Sequence, residues 1–329
     1  MARKIILDVD TGSDDAVAIM SAILAEDIQL EAVCSVAGNK DIDKTTENTL
    51  RVVQLMGADV PVYRGCREPL VKFLCPDRLG ARKATQNVII KDGKEIQMHS
   101  DYLDIPEAKI HEQAISAPEF YVQYLRAAKE PVTLVAVGPL TNLAVALLID
   151  SSIVEKIEEI VIMGGGYNIT NSTPTAEFNI WYDPEAAHRV IHCGAKVTLV
   201  PLDATHAACI TLDDCARFRA LGTVSGDFAA ALCEQRIIMH DAAQPLAVAH
   251  GAAVHDALCI AYLIDPTVLK DVREVHCDVG FRDFCEGQTI IDPRYYTEEK
   301  NCFFAFDGDR FKFADILCDL FARDKNVRR

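Results

Sequence analysis

Short apolar runs alternate with amphipathic segments along most of the chain. Six runs rich in Val, Ile and Leu are predicted strands, at residues 4–9, 30–37, 60–63, 132–137, 159–163 and 196–201. The segments between them have helical spacing. Strands that are apolar throughout and separated by helices are typical of a parallel sheet covered on both faces. The pattern therefore predicts an α/β fold: an open, mostly parallel Rossmann-like sheet with helices on both faces, in a single domain spanning residues 1–329.

Capping residues give the predicted helices their starting points. Ser13, Asp41, Ser116 and Asp183 are typical N-caps, Glu119 completes a capping box with Ser116, and Pro follows Asp183. The predicted helices cover residues 13–25, 41–56 and 116–128, a segment from 183, and then 211–240, 254–264 and 313–322. Three further strands are predicted at 274–279, 289–291 and 302–306. The region from 65 to about 113 lacks a regular pattern, and it is expected to be a functional lid or a disordered loop.

Composition and charge narrow the class of protein. The chain has 329 residues, 50% of them hydrophobic and 25% charged, which is ordinary for a folded globular protein. A formal net charge of −16 without a cluster of Lys and Arg argues against a nucleic-acid partner. A small neutral ligand or a cation fits this charge better.

Localisation is inferred from the N-terminus, the hydropathy and the cysteines. The first apolar run ends at Asp8, too early for a signal peptide, and no apolar stretch approaches the roughly 20 residues needed to span a membrane. The 12 cysteines are scattered, with no C-x-x-C spacing, so we expect reduced and mostly buried thiols. The expected location is the cytoplasm, with no membrane partner.

Four carboxylates fall within eight residues where the first predicted strand meets the first helix: Asp8, Asp10, Asp14 and Asp15. Asp14 and Asp15 in the first helical turn would complement the helix dipole. That explanation does not cover Asp8 and Asp10, which end an apolar strand and need either hydrogen-bond donors or a cation. We favour a cation site, because hard oxygen ligands at this density suit calcium or magnesium.

The polar residues at other strand ends are expected to meet the acidic cluster, because ligands of such sheets bind beyond the carboxyl ends of the strands. These ends carry Asn39, Val137, Met163 with three following glycines, and Asp203. The glycines lack the G-K-[ST] ending of a phosphate loop. A tight turn, or a backbone that approaches a ligand closely, accounts for them better.

Two further clusters lie downstream. Glu177 and Asn179, with Asn171 before them, suit the recognition of vicinal hydroxyls, although the polarity of a surface loop explains such residues equally well. His255 and Asp256 stand together in an apolar context. They are interpreted either as a buried, internally satisfied pair or as a proton donor beside a metal ligand.

Taken in order, these blocks resemble the inosine-uridine-preferring nucleoside hydrolase family. The first block is Asp8-x-Asp10-x-Gly12-x-Asp14-Asp15-Ala16. The later blocks are 36–39, 138–144, 163–166, 176–187 and 254–256. The resemblance spans the chain from the first strand to about residue 265.

The resemblance implies an enzyme that hydrolyses the N-glycosidic bond of ribonucleosides to ribose and a free purine or pyrimidine base. It implies a calcium cofactor with the ligands Asp10, Asp15, Asp256 and the Val137 carbonyl. The residues it assigns to the ribose are Asp14, Asn39, Met163, Asn171, Glu177 and Asn179. Asp10 would also be the general base that activates a calcium-bound water, and nearby carboxylates would stabilise an oxocarbenium-like sugar.

Departure of the base is assigned to two histidines by the same resemblance. His255 is the expected proton donor, and His99 is similar to a histidine that pyrimidine-preferring relatives carry on a mobile loop. The surrounding sequence differs, because His99 is followed by Ser100 and Asp101 in a lysine-bearing insertion, and a tyrosine found in some relatives is missing from 237–244. The preferred base stays open. Members of the family are commonly dimers or tetramers, so a homodimer or homotetramer is expected.

Two other functions share part of this pattern. A haloacid dehalogenase-type phosphatase also begins with a strand that ends in D-x-D, but it expects Thr or Val where this chain has Gly12. A nucleoside or ribose sensor without turnover would use the same binding residues. The presence of both Asp10 and His255 favours an enzyme.

Overall fold

A nine-stranded sheet forms the centre of the protein, described here from a computed structural model covering residues 2–75, 78, 88–91, 93–294 and 299–326. The strands of the described residues are β1 (Arg3–Val9), β2 (Ile28–Ser35), β3 (Val62–Arg64), β4 (Val88–Lys91), β5 (Lys94–Gln97), β6 (Val132–Ala136), β7 (Ile157–Met163), β8 (Val197–Val200), β9 (Ile210–Thr211), β10 (Gly251–Ala252), β11 (Leu269–Val279), β12 (Thr289–Asp292) and β13 (Cys302–Gly308). The short pairs β4–β5 and β9–β10 lie outside the central sheet.

The α-helices of the described part of the chain lie between these strands, except the last, which follows β13. They are α1 (Ser13–Leu24), α2 (Ile42–Leu55), α3 (Ala117–Ala127), α4 (Thr141–Ile149), α5 (Phe178–Tyr182), α6 (Pro184–Ile191), α7 (Leu202–Ala207), α8 (Leu212–Ala220), α9 (Val224–Ala243), α10 (His255–Ile264) and α11 (Arg310–Ala322). Asp41, Ser116 and Asp183 cap α2, α3 and α6 as predicted.

The order of the strands creates a switch point in the sheet. That order is β12-β11-β13-β8-β7-β6-β1-β2-β3, and every pair is parallel except the two that β11 makes. From β1 the chain winds outward through β2 to β3, and from β6 it winds the other way through β7 to β8. Crevices at such reversals are where doubly wound sheets bind ligands. The reversal here lies between β1 and β6.

Helices cover both faces of the sheet, so the predicted α/β class is confirmed. Alternate residues of β1 enter different cores: Ile5, Leu7 and Val9 pack with α1, α9, α10 and α11, whereas Ile6 packs with α3, α4 and α6. This alternation is the period of two that a strand imposes. Burial on both faces explains why the strands read as uninterrupted apolar runs.

Three local expectations differ from the structure. Ser13 is the first residue of α1 rather than its cap, and Gly12 holds the cap position. The segment 211–240 divides into α8 and α9 around Gly222, whose φ of 67° ends the first helix. The region 65–113, expected to be irregular, contains the β4–β5 hairpin and a 3₁₀ turn at Lys72–Leu74. Residues 76–77, 79–87 and 92 of that region lie outside the described residues.

Two observations bear on the expected environment. All 12 cysteines are free in the structure; seven are buried, four are half-buried and Cys285 is exposed, so the expectation of mostly buried thiols is confirmed. Among the helices of the described residues, none combines the length and the apolar character needed to cross a bilayer.

Candidate active site

A pocket of about 450 Å³ opens at the switch point, beyond the carboxyl ends of β1, β6 and β7. The predicted site residues that line it are Asp10, Asp14, Asn39, His99, Val137, Met163, Asn171, Glu177, Asn179, His255 and Asp256. Asp15 lies fully buried beside them. The structure therefore brings together residues that are up to 246 positions apart in the sequence.

Asp8 is held by hydrogen-bond donors from α3 and α4, which cover one face of the sheet. Its carboxylate accepts hydrogen bonds from the Tyr121 hydroxyl and the Asn142 side-chain amide, each at 3.0 Å. Burial raises the pKa of Asp8 to about 7 against the effect of these bonds. The cation favoured from the sequence is therefore not needed for Asp8, because hydrogen-bond donors account for its carboxylate.

Asp10 is fixed against the loop that follows β2. The backbone N–H of Asn39 donates to Asp10 Oδ2 at 2.6 Å. Gly38 permits this approach, because a Cβ at that position would lie 2.1 Å from the same oxygen. Asp10 therefore has one oxygen engaged by the backbone, and the residue borders the pocket.

Asp15 closes the turn between β1 and α1. Its two oxygens accept from the backbone N–H groups of Asp10 at 3.0 Å and Gly12 at 2.8 Å. Gly12 holds the cap position and Asp10 lies in the turn before it, so Asp15 ties the first turn of α1 back to the segment that leaves β1.

Three carboxylates form a group that could hold one cation. Oxygens of Asp14, Asp15 and Asp256 lie within 4.8 Å of one another, and all three residues are buried. Burial, followed by repulsion from the other carboxylates, raises the pKa of Asp256 well above its usual range, and burial with the Asp14 charge raises that of Asp15 to about 7. Clustered like charges in a buried place favour a cation, and an all-oxygen donor set suits calcium.

The pocket wall opposite the carboxylates is a hydrogen-bonded frame. Glu177 accepts from the N–H groups of Gly165 and Asn179, both at 2.9 Å, and caps α5. Gly165 has a φ of 78°, so the glycine run forms the tight turn expected from the sequence. Asn179 Nδ2 donates to the carbonyls of Val137 at 2.8 Å and Met163 at 3.1 Å. This bridge sets the spacing between the ends of β6 and β7.

Asn171 holds the loop in front of this frame. Its side-chain oxygen accepts from the backbone N–H of Phe178 at 2.9 Å. The side chain therefore stands at the mouth of the pocket, next to the residues of α5.

Three histidines lie close together beside the pocket, and two of them, His240 and His255, line it. His255 Nδ1 lies 2.7 Å from the Thr205 hydroxyl, and its ring centroid is 5.7 Å from that of His206 and 6.3 Å from that of His240. Burial lowers the pKa of His206 and of His240 to about 4, and burial with the Arg236 charge lowers that of His255 well below its usual range. These imidazoles are neutral at physiological pH.

His99 also reaches the pocket, from the segment that follows β5. The backbone N–H of Ser13 donates to His99 Nδ1 at 3.3 Å. Burial lowers the pKa of His99 to about 4, so the neutral ring carries its hydrogen on Nε2. The 98–101 stretch is thereby placed over the start of α1.

Sequence reasoning missed the contribution of α9. Arg236 and His240 on α9 and Gln244 at its C-cap all line the pocket, at intervals of four residues that place them on one side of the helix. Arg236 donates to the Asp14 carboxylate and the Ser13 hydroxyl at 2.9 Å each, and to the Ala253 carbonyl at 2.8 Å. The signal in the sequence was a polar i, i+4, i+8 series within a mostly apolar helix.

The chain is similar to known proteins along nearly its whole length. The family model for inosine-uridine preferring nucleoside hydrolases matches residues 5–315. The pyrimidine-specific ribonucleoside hydrolase RihA of Enterobacter sp. (strain 638) is 38% identical over 326 residues, covering 98% of this chain and 99% of that protein. RihA of Escherichia coli O1:K1 is 37% identical over 322 residues, covering 97% and 98%.

Solved structures give the same result. The plant nucleoside hydrolase PpNRh1 has a TM-score of 0.82 and 26% identity, covering 98% of this chain and 99% of that one. A purine-preferring ribonucleoside hydrolase from Gardnerella vaginalis has a TM-score of 0.82 and 27% identity, covering 97% and 99%. The chain belongs to the inosine-uridine preferring nucleoside hydrolase family. The resemblance and the expectation of an enzyme are confirmed, and neither the phosphatase nor the sensor is favoured.

Proposed function

We propose that the protein hydrolyses the N-glycosidic bond of ribonucleosides, using a water molecule activated at a calcium site and by Asp10, and releases ribose and a free base. The observation that carries the proposal is the buried carboxylate group of Asp14, Asp15 and Asp256 beside Asp10, at the end of a pocket framed by hydrogen-bonding side chains. Membership of the family supports the reaction class.

The proposed calcium ligands are Asp10, Asp15, Asp256 and the Val137 carbonyl. Asp14 lies close enough to share the ion, but its carboxylate is already paired with Arg236 at 2.9 Å. We therefore give Asp14 to the ribose. When bound, calcium would orient a water molecule and make it more acidic.

Asp10 is the proposed general base. Its Oδ2 is held by the Asn39 N–H, so the carboxylate cannot rotate freely beneath the substrate. In the metal-free protein, burial and the neighbouring Asp15 charge raise the pKa of Asp10 well above its usual range, and a bound cation would favour the ionised carboxylate that can accept a proton. The proton of the attacking water passes to this side chain.

The ribose is proposed to lie between α1 and the frame of α5. Asp14, Asn39, Asn171, Glu177 and Asn179 would bond its hydroxyls, and Met163 would pack against the sugar. Their buried carboxylates also stabilise positive charge on the sugar as the bond to the base breaks. Since hydroxyl contacts orient the anomeric carbon over Asp10, binding and attack use one geometry.

The departing base is proposed to receive its proton from a histidine that lines the pocket. His255, fixed by its 2.7 Å contact with Thr205, is the first donor, and His99, which also lines the pocket, is the second. A neutral imidazole with one N–H can donate to a leaving nitrogen or oxygen.

Pyrimidine ribonucleosides are the proposed preferred substrates. RihA relatives 37–38% identical along nearly the whole chain are named pyrimidine-specific, whereas the purine-preferring structure is 27% identical. The position of His99 in the pocket agrees with the resemblance to pyrimidine-preferring relatives. We also propose a cytoplasmic location, since the 12 free cysteines suit a reducing compartment. A homodimer or homotetramer is proposed from membership of the family alone. Light scattering measures the assembly.

Release of free base from uridine, cytidine, inosine, adenosine and guanosine tests the proposed function. Purified protein should liberate uracil and cytosine with higher kcat/KM than the purines. The matched control is Asp10→Asn purified in parallel, which exposes contaminating activity. Saturable binding without release of any base would show a sensor, and base release by Asp10→Asn at the parental rate would refute the role of Asp10.

A further inference from the structure

A second cluster of metal-binding side chains lies away from the pocket, on the surface between α6 and β11. His188 belongs to α6, His192 follows its last turn, and Asp278 lies on β11. One ligand atom from each of the three lies within 4.8 Å of the others. We propose that His188, His192 and Asp278 form a surface site for a divalent transition metal such as zinc.

Helical spacing places the two imidazoles side by side. Residues four apart share one face of a helix, and the rings of His188 and His192 have centroids 4.2 Å apart with an angle of 32° between their planes. Histidines with this spacing are a common pair of zinc ligands on a helix. The pair therefore supplies two nitrogen donors from one rigid element.

The third donor comes from the antiparallel strand that packs beneath α6. Asp278 Oδ1 lies 3.0 Å from His188 Nδ1, and the same oxygen accepts from the Val279 N–H at 2.7 Å. Phe281 packs edge-on against the His188 ring, with centroids 5.1 Å apart, and restricts its rotation. The carboxylate and the first imidazole are thus oriented before any ion arrives.

A backbone carbonyl determines which ring nitrogen of His192 carries the hydrogen. His192 Nδ1 lies 2.9 Å from the carbonyl oxygen of His188, and a carbonyl only accepts, so this nitrogen carries the hydrogen. The lone pair then lies on Nε2, the tautomer required of a metal ligand. A hydrogen bond to backbone carbonyl from the non-ligating nitrogen is the usual support of such a histidine.

The donor set selects the ion. Two imidazoles and one carboxylate suit zinc, nickel or cobalt(II), with water completing the coordination. Calcium prefers oxygen donors, so it should go to the carboxylates of the pocket instead. Both His188 and Asp278 are partly exposed, with 40% and 46% of their side chains accessible, so an ion can enter from solvent. The proposal does not depend on the hydrolase reaction.

Cobalt(II) is the probe of choice, because its visible absorption reports nitrogen ligation directly. Full-length protein is stripped with chelator and then titrated with cobalt(II) in the presence of millimolar calcium, which occupies oxygen sites. We expect one cobalt per chain and displacement by zinc. His192→Ala and Asp278→Asn should each weaken binding at least tenfold.

The control is His250→Ala. His250 is exposed, and its Nδ1 lies 2.8 Å from Asp241 Oδ2. This pair has the same histidine–aspartate contact as the proposed site but lacks a second imidazole. The cobalt affinity of His250→Ala should equal the parental value. Zinc should raise the melting temperature of the parent and of His250→Ala but not of His192→Ala. Absence of a cobalt band, or equal affinity in the parent and in His192→Ala, would overturn the proposal.

Discussion

Arg236 donates to the carboxylate of Asp14 at 2.9 Å, and both residues are buried in the wall of the pocket. The same guanidinium bonds the Ser13 hydroxyl and the Ala253 carbonyl. It thereby connects α9 to the start of α1 and to the segment that precedes His255. Because Asp14 is held toward α9, the pair separates a carboxylate assigned to the sugar from those assigned to the ion.

Loss of this guanidinium should destabilise the protein. Arg236→Met leaves Asp14 buried without its partner, and breaking a buried pair in this way costs about 3–5 kcal/mol. Urea unfolding in saturating calcium measures the change. The control is Arg219→Met, which removes an exposed pair with Glu234 and should cost less than about 1 kcal/mol. Similar losses in both variants would mean that the Arg236–Asp14 contact contributes no more than a surface pair.

Mutation should separate the two proposed proton transfers. Asp10→Asn removes the acceptor, so turnover should be abolished on every substrate. His255→Ala should lower the rate of uridine hydrolysis by a factor of about 10²–10⁴, the range typical of general acid catalysis. A nitrophenyl riboside, whose phenolate leaves without a proton, should be cleaved by His255→Ala at nearly the parental rate. Equal losses on uridine and on the activated riboside would instead give His255 a role in positioning the sugar or Asp256.

The residues proposed to bind the ribose should discriminate against nucleosides that lack a hydroxyl. Asp14, Asn179 and Glu177 are buried, so a 2′-deoxynucleoside would leave polar groups unpaired. We expect kcat/KM for uridine to exceed that for 2′-deoxyuridine by at least about 10². Uridine monophosphate should also be a poor substrate, because its phosphate would meet an acidic pocket. Comparable efficiency on uridine and deoxyuridine would contradict the assignment of this frame.

Acid should destabilise the fold through two histidines, His240 in the pocket wall and His206 beside it. Burial lowers the pKa of both His206 and His240 from the usual 6.5 to about 4. Between these pH values the unfolded chain binds more protons than the folded one, so the free energy of unfolding falls as the pH falls from about 6.5 to 4. At pH 5 the loss should be roughly 1–2 kcal/mol for each histidine.

The double variant His206→Gln, His240→Gln tests this effect. Its unfolding free energy should fall less than that of the parent between pH 7.5 and pH 5, whatever its stability at neutral pH. His250→Gln, at an exposed position, is the control and should follow the parental curve. Parallel curves for the parent and the double variant would show that these two imidazoles do not carry the acid sensitivity.

The sequence predicted the sheet well because burial on both faces leaves a direct mark. Runs such as Ile5–Leu7 and Ile160–Ile162 are apolar at every position, and their order along the chain gives the parallel topology. Polar residues at the carboxyl ends of strands then identified most of the pocket. Asp10 and Val137 follow neighbouring strands, so the topology alone brings them together.

Local sequence patterns could not predict contacts between side chains that are far apart in the sequence. Arg236 reaches Asp14 across 222 positions, and no local pattern records which face of α9 turns toward α1. Ser13 looked like a helix cap, but Asp15 satisfies the backbone donors and the Ser13 hydroxyl binds Arg236 instead. Asp8 and Asp10 are equivalent in the sequence. Only the placement of Tyr121 and Asn142 separates the structural carboxylate from the one in the pocket.

The central claim is that base release depends on calcium held by the buried carboxylates, and a calcium titration of uracil release from uridine tests it most directly. Protein stripped of metal by exhaustive chelation should have less than a hundredth of its activity and a lower melting temperature. Calcium should restore both, because buried carboxylates without a cation repel one another. Full uracil release by metal-free protein, at the same rate before and after calcium is added, would contradict the account.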